Sequence, residues 1–471
     1  MYVPSNLDFV DLSEQYPLTN LPAGKHSKDY LYYFCHQLVQ IRSMYGGEHP
    51  IYGSYFPICT AMLRTLHFNY NSFMNYLIQA QVIQSDGQFI VGQKCKGYKF
   101  TQTYSGQIIK PLVVENHVLS RNIQKQKQKL ESEAKELLKE YAHLTKWYLC
   151  GGLEIDQPSA LAWVERYKRY KLQELNAGSL SGLALEEKSN KVIDTCEGWK
   201  LFIDKIDRKE LNYSDFTVDD FAGRFHGVLT FLKKELRAFL KFRGQKLVSV
   251  DIKNCQPYLT TVLLTPEFWT PKERSGNSIV KLQDINPAMY ADLSIHPIYS
   301  TITLLLFDSP GKGFSMQKYK ELVINGDFYE FLQKELPQRL PNNYAERFST
   351  RDKVKEEVLR ILNCANHARH QPFYAPSKVF EQLFPNVDRV LSFIKSNDHK
   401  NVARVLQRIE SNLILRECCK GLSQTNPDLP VFTLHDCIVT TEGNEGLVKD
   451  TITGIFSKRI NLPPMIKIES W

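Results

Sequence analysis

The sequence predicts an α+β protein built from several subdomains, and three observations carry that expectation. Apolar residues recur at helical spacing, as Phe73, Tyr76, Leu77 and Ala80 do at i, i+3, i+4 and i+7. Short β-rich runs, 247–250 and 431–434 among them, stand far apart with helical segments between them. The 471 residues are 43% hydrophobic and 23% charged, which suits a large core and two to four domains and does not suit a disordered chain.

The charge balance is mildly basic. Lys and Arg number 59 against 51 Asp and Glu, a net +8, which permits a nucleic-acid partner without demanding one. Ten cysteines are scattered without CxxC pairs, and only Cys418 and Cys419 are adjacent. No zinc spacing results, and a disulfide framework is not expected in a chain of this length, so a reduced, intracellular (cytoplasmic) setting is. The opening segment MYVPSNLDFVDLSEQ lacks the basic start and apolar core of a signal peptide. No stretch approaches the roughly 20 apolar residues of a membrane span, so no membrane partner is expected.

Residues 1–115 form the first expected domain. Within it YNSFMNYLIQAQ is an amphipathic helix, and VIQSDGQFIVGQKCKGYKFT is a hairpin that turns at Asp86-Gly87 and carries Lys94, Lys96 and Lys99. A helix followed by a basic hairpin resembles a winged helix; a small α+β cap with a solvated hairpin shows the same pattern. Residues 116–205 are mainly helical. Ile123, Leu130, Ala134, Leu137, Tyr141 and Leu144 make a heptad-like stripe, which Gly151-Gly152 ends. Pro158 opens a second helix bearing Arg166, Lys168, Arg169 and Lys171. A clamp on a phosphate backbone and a plain solvated face both fit that cluster. Residues 177–192 read as a polar connector, and the rest of the chain as one large region.

LVSVDIKNCQPYLTTVLL, residues 247–264, runs from a buried strand into Asp251. A polar cluster of Lys253, Asn254 and Gln256 follows, then an apolar run from Tyr258. LPVFTLHDCIVTTEGNEG, residues 429–446, is a tight hairpin with Asp436 at or near its tip. Two strands remote in sequence thus each deliver an aspartate at their end. That is the minimum scaffold for two Mg²⁺ ions, which take hard oxygen ligands and keep waters and phosphates in their shell. Set about 3.5–4 Å apart, such ions activate a 3′-hydroxyl and stabilise a leaving pyrophosphate. Either aspartate taken alone reads as a cap or turn residue.

Neighbouring segments strengthen the pair. DDFAGRFHGVLTFLKKELRAFLKFRGQ holds Asp220-x-x-Gly223-Arg224, then a helix-like segment with Lys233, Lys234, Arg237, Lys241 and Arg243. Arg351 and Lys355 stand at i, i+4 on one helix face. They suit a triphosphate, Lys as a point charge and Arg as a fork, although adjacent Glu356 and Glu357 also fit an ordinary charged face. HKNVARVLQRIESNLILRECCKGL is a helix with Val402, Leu406, Ile409 and Leu413 on its buried stripe, and Gln407, Glu410 and Ser411 near it.

Taken in order, these segments resemble the core of the family A polymerase superfamily, which unites family A DNA polymerases and phage-type single-subunit RNA polymerases. Asp220-Phe-Ala-Gly223-Arg224 is similar to the D/T-x-x-G-R element, LVSVDIKNCQPYL to the first catalytic motif, GDFYEFL to a D-I-H-like segment, Arg351-x-x-x-Lys355 to the fingers helix, and LHDCIV to the H-D motif. The roughly 185 residues between the aspartates suit inserted fingers. The resemblance implies a right-hand polymerase with palm, fingers and thumb: thumb-like helices at 116–205, palm at 206–265 and 401–471, fingers at 266–400. It implies a nucleotidyltransferase that extends a primer–template with nucleoside triphosphates, as a monomer. Asp251 and Asp436, with the Ile252 carbonyl, would bind two Mg²⁺, with Mn²⁺ as a substitute. Arg351, Lys355, Gln256 and the position of Asn363 would face the nucleotide. Arg224, Lys233, Lys234, Arg237, His435 and Gln407 would face nucleic acid.

Two positions depart from the family pattern. Asn363 stands eight residues after the lysine, where the family has an aromatic residue. Gln256 stands where the DNA branch has its sugar-gating Glu; its size leans toward deoxynucleotides. A proofreading domain is not expected, and a winged-helix front end suggests a phage, mobile-element or defence-associated replication enzyme. An RNA polymerase, primase-like or reverse-transcribing enzyme of the same fold is the alternative. A metal-dependent nuclease and an inactive nucleic-acid-binding replication factor are the rivals from other classes.

Overall fold

The computed structural model describes residues 1–22, 27–44, 52–90, 94–270, 279–288, 290–291, 302, 306 and 313–471. Residues 91–93 of the expected hairpin segment and parts of the expected fingers between 271 and 312 lie outside them. The chain forms two compact units: Met1–Glu140, Tyr148–Phe216 and Gly227–Gly244 make the first, and Tyr141–Trp147, Thr217–His226 and Gln245–Trp471 the second. Both mix helix and strand, as expected. Among the described residues no helix is long and apolar enough to cross a membrane, and none of the ten cysteines is in a disulfide.

The main elements of the first unit are β1 (Tyr2–Pro4), α1 (Ser27–Met44), β2 (Phe56–Pro57), α2 (Thr60–Leu66), α3 (Tyr70–Gln79), β3 (Ile83–Ser85), β4 (Gly97–Phe100), β5 (Ile109–Pro111), α4 (His117–Leu137), β6 (Leu153–Ile155), α5 (Gln157–Ala177), α6 (Gly182–Asp207) and β7 (Leu240–Phe242). β2, β4 and β3 pair antiparallel in that order. α3 buries Phe73 and Leu77 and exposes Asn71 and Asn75, as its periodicity requires. Asp86 holds the start of the hairpin. Its carboxylate accepts from the amides of Gln88 (3.1 Å) and Gly97 (2.9 Å), while Gly87 takes φ +65°.

Three expectations need correction here. The heptad-like stripe is buried only at its ends: Ile123, Tyr141 and Leu144 are covered, whereas Leu130 is 43% and Leu137 81% exposed. The middle of α4 is rich in Lys, Gln and Glu and supports itself by pairs such as Lys129–Glu133 at 3.8 Å. The connector at 177–192 is mostly helix, because LALEEKSNK consists largely of helix formers and leads into the buried stripe Cys196, Phe202, Ile203 and Ile206 of α6. The helix-like segment after Arg224 holds a 3₁₀ helix, Lys234–Phe239, and then the strand β7. There Leu240 and Phe242 alternate with exposed Lys241, a period of two that no helix satisfies.

The second unit carries β8 (Gln245–Ile252), α7 (Cys255–Leu263), α8 (Gly313–Ile324), α9 (Phe328–Gln338), α10 (Arg351–Asn363), α11 (Asn401–Ser411), β9 (Phe432–Leu434), β10 (Cys437–Thr441), α12 (Glu445–Ile460) and β11 (Ile466–Ser470) as its main elements. β8 lies between β10 and β11, with β9 beyond β10, all antiparallel. Leu247, Val248, Ser249 and Val250 are all buried, so this strand is covered on both faces. Ile409, Leu413, Ile452 and Phe456 supply fully buried helix side chains to the same unit.

Candidate active site

The sheet register brings the two aspartates together. Leu434 pairs with Cys437, so only His435 and Asp436 remain in the β9–β10 turn. His435 takes φ 55°, the left-handed conformation such a turn demands. Asp251 pairs with Cys437 across the β8–β10 ladder, so Asp436 is the next residue along from Asp251's partner. Ile252, buried, ends β8 opposite Ile466 of β11.

Both carboxyls are pushed above the usual range. Burial raises Asp251 to about 7 and the Asp436 charge pushes the same way, while Lys355 pulls it back. Burial raises Asp436 as well, against the pull of its own backbone N–H, Lys355 and Arg224. The Oδ1 atom of Asp251 is buried without a hydrogen-bond partner among the described residues. Two crowded carboxylates, one with an orphaned oxygen, are a donor set that fits a hard divalent cation such as Mg²⁺. Among the described residues no group of three or more acidic, His or Cys side chains is placed to hold a metal. The pair would therefore fill only part of a shell that Mg²⁺ completes with water or phosphate.

α10 places the cations. Thr350 caps it, accepting from the Lys353 amide at 3.3 Å. Lys355 lies close enough to both aspartates to shift their titration. Arg351, one turn earlier, donates to Asn254 Oδ1 (3.0 Å) and Glu330 Oε1 (2.8 Å) and covers the ring of Tyr329 at 5.0 Å. Asn254 itself is held at φ 55° in the turn after β8. Asn363 ends α10 and is exposed. Eight residues of helix put it about 12 Å along the axis from Lys355. The aromatic ring that Arg351 covers is that of buried Tyr329 instead.

A second cluster forms around Glu410, which is 1% exposed. Arg224 grips it with two bonds, Nε and Nη2 each at 2.8 Å, and Gln256 Nε2 donates to it at 3.1 Å. Burial raises the Glu410 carboxyl to about 7, with Arg224 drawing it down and Asp436 pushing it up. The turn that carries Arg224 is organised by Asp219, whose carboxylate accepts from the amides of Ala222 and Arg224 (3.0 Å) and contacts His226 Nε2 (3.0 Å). Despite burial, which opposes it, this partnering holds Asp219 down at about 2. The His226 and His435 rings lie 6.0 Å apart. Gln407 is half-buried on α11, and its carbonyl accepts from Ser411 Oγ at 2.9 Å.

The structure thus brings Asp251, Asp436, Lys355, Arg351, Gln256 and Arg224 into one connected site of the second unit. Lys233, Lys234 and Arg237 belong to the first unit, where Lys233 pairs with Glu235 (3.0 Å) and lies over Tyr167. Sequence reasoning missed Glu410 as a site member, along with Tyr329, Asp219 and Glu469, whose charge also raises Asp251. The chain matches no family model and no curated protein. Among solved structures it is similar to the POL domain of Pol1 from M. smegmatis, in complex with DNA primer-template and dNTP. The identity is 8% and the TM-score 0.31, over 75% of this chain and 73% of that one.

Proposed function

We propose that this chain is a template-directed nucleic-acid polymerase, a nucleotidyltransferase that extends a 3′-hydroxyl, with deoxynucleotides as its favoured substrates. One observation carries the reading: the two strand-end aspartates, remote in sequence, are neighbours in the sheet, and Lys355 lies within electrostatic reach of both. Asp251 and Asp436, with the Ile252 carbonyl, would hold two Mg²⁺ ions or Mn²⁺ in their place. When bound, such ions activate the attacking hydroxyl and neutralise the leaving pyrophosphate. Lys355 would neutralise the triphosphate as a point charge, and Arg351 would direct its fork there from a position Asn254 and Glu330 prearrange. Gln256 would face the sugar, and His435 the primer end. In this reading the sheet of the second unit is the palm, α10 belongs to the fingers, and helices of the 116–205 segment form the thumb. The order α1, β2, α2, α3, β3, β4, with its sheet order, supports a winged-helix-like front end.

The test is primer extension with DNA and RNA templates crossed with dNTPs and NTPs. Mg²⁺-dependent lengthening is expected, lost in Asp251→Asn while nucleic-acid binding persists. Undiminished extension by Asp251→Asn refutes the assignment. Shortening of labelled nucleic acid without added nucleotides favours a nuclease, and binding without either reaction favours an inactive replication factor.

A further inference from the structure

We infer that Glu410 is a positioning residue for Gln256: a buried carboxylate that pins the side chain facing the incoming sugar and thereby sharpens selection between deoxyribose and ribose. The inference rests on the polymerase reading above, which sets Gln256 against the nucleotide. Gln256 is half-buried, and its amide has two ends. The Nε2 end donates to Glu410 at 3.1 Å. The Oε1 end has no hydrogen-bond partner among the described residues. A bond to a carboxylate is about twice as strong as one between neutral groups, so the amide is held by its donor end with its acceptor end turned away from Glu410.

The pin is itself immobile. The Arg224 fork occupies both oxygens of Glu410 at 2.8 Å each, and Cys255 Sγ lies 4.0 Å from it on the residue before Gln256. Neighbouring Ile409 is fully buried, and Ser411 Oγ binds the Ala222 carbonyl at 2.9 Å, tying α11 to the turn that bears Arg224. Three donors therefore converge on one carboxylate, which serves neither strand-end aspartate as a hydrogen-bond partner. A glutamine free to rotate yields to an additional hydroxyl on the sugar. A glutamine held by a buried carboxyl that the Arg224 fork locks in place does not, and its bulk becomes a wall.

Gln256→Met keeps the length and removes the donor; Glu410→Gln keeps the shape and removes the charge. In each, the ratio of kcat/KM for dNTP over NTP should fall about tenfold, equivalent to about 1.4 kcal/mol, carried chiefly by a lower KM for NTP. The double variant should fall no further than either single one, because both cut the same link. A ratio unchanged in Gln256→Met, or single losses that add, overturns the inference. Gln256→Met decides the matter even if Glu410→Gln fails to fold. Calorimetric binding of dATP and ATP with Mg²⁺ to the same proteins separates the two ideas. A wild type that binds triphosphates and extends no primer overturns the polymerase reading, while a dATP:ATP binding ratio that Gln256→Met leaves untouched overturns the role of Glu410. A wild type that binds neither nucleotide overturns both.

Discussion

Replacing Asp251 by Asn should stabilise the metal-free protein at neutral and alkaline pH, although it destroys the proposed active site. The reason is the burial of Asp251, to which the nearby charge of Asp436 adds. Asp251 rises from its ordinary 3.8 to about 7 on folding, so the folded state holds its proton more tightly than the unfolded chain does. A carboxyl of this kind contributes its full stability below pH 3.8, loses it as pH rises toward 7, and carries the whole penalty above that. At 1.36 kcal/mol per pH unit, a rise of about 3 units amounts to roughly 4 kcal/mol. Asp436 shares the same repulsion, so about 2–4 kcal/mol is the expected gain for the neutral isostere. Urea unfolding in chelator at pH 8 and pH 4 measures it: Asp251→Asn should exceed wild type at pH 8 and match it near pH 4. Added Mg²⁺ should raise the wild-type midpoint by mass action and leave the variant nearly unmoved. An Asn variant less stable than wild type at pH 8 in chelator would refute the reasoning, because it would mean that burying the Asp251 charge beside Asp436 carries no penalty.

Three further outcomes follow from neighbouring residues. Lys355→Met removes a cation that lowers both aspartates, so the pH-dependent loss of stability should shift to higher pH and triphosphate binding should weaken at least tenfold, as titration calorimetry would show. Asp219→Asn should cost about 1–2 kcal/mol at pH 7 after allowance for partial exposure, and the cost should vanish as pH falls from 3.8 through about 2, where the wild-type carboxylate is protonated. Phe456→Ala empties a fully buried position and should lower the stability of the second unit by about 3–5 kcal/mol in denaturant titration.

What could be read from the sequence is what the local backbone decides. The strand before Asp251 shows itself by four consecutive buried residues, and the tip of the β9–β10 hairpin by a polar pair between β-rich runs. Arg351 and Lys355 share a helix face because four residues nearly complete a turn. Glu410 could not be placed the same way. It sits in an amphipathic helix among apolar neighbours, and a glutamate there reads as a flank of the stripe. Its burial depends on Arg224, 186 residues away, supplying a fork of the right geometry. Asp219 and Asp220 are adjacent and chemically alike; only the fold of the turn shows that Asp219 takes the amides while Asp220 stays exposed. Tyr329 was present in the segment GDFYEFL, but an aromatic in a helix reads as core until Arg351 is found stacked upon it. Each of these misses is a polar or aromatic group whose environment is assembled from distant chain. Burying a charge without a partner costs too much for it to persist, so the partner must exist before the residue can be read as buried. For that reason the carboxylate pair is legible from strand patterns alone, while the carboxylate that organises the turns around it becomes visible only when Arg224 and Gln256 converge on it.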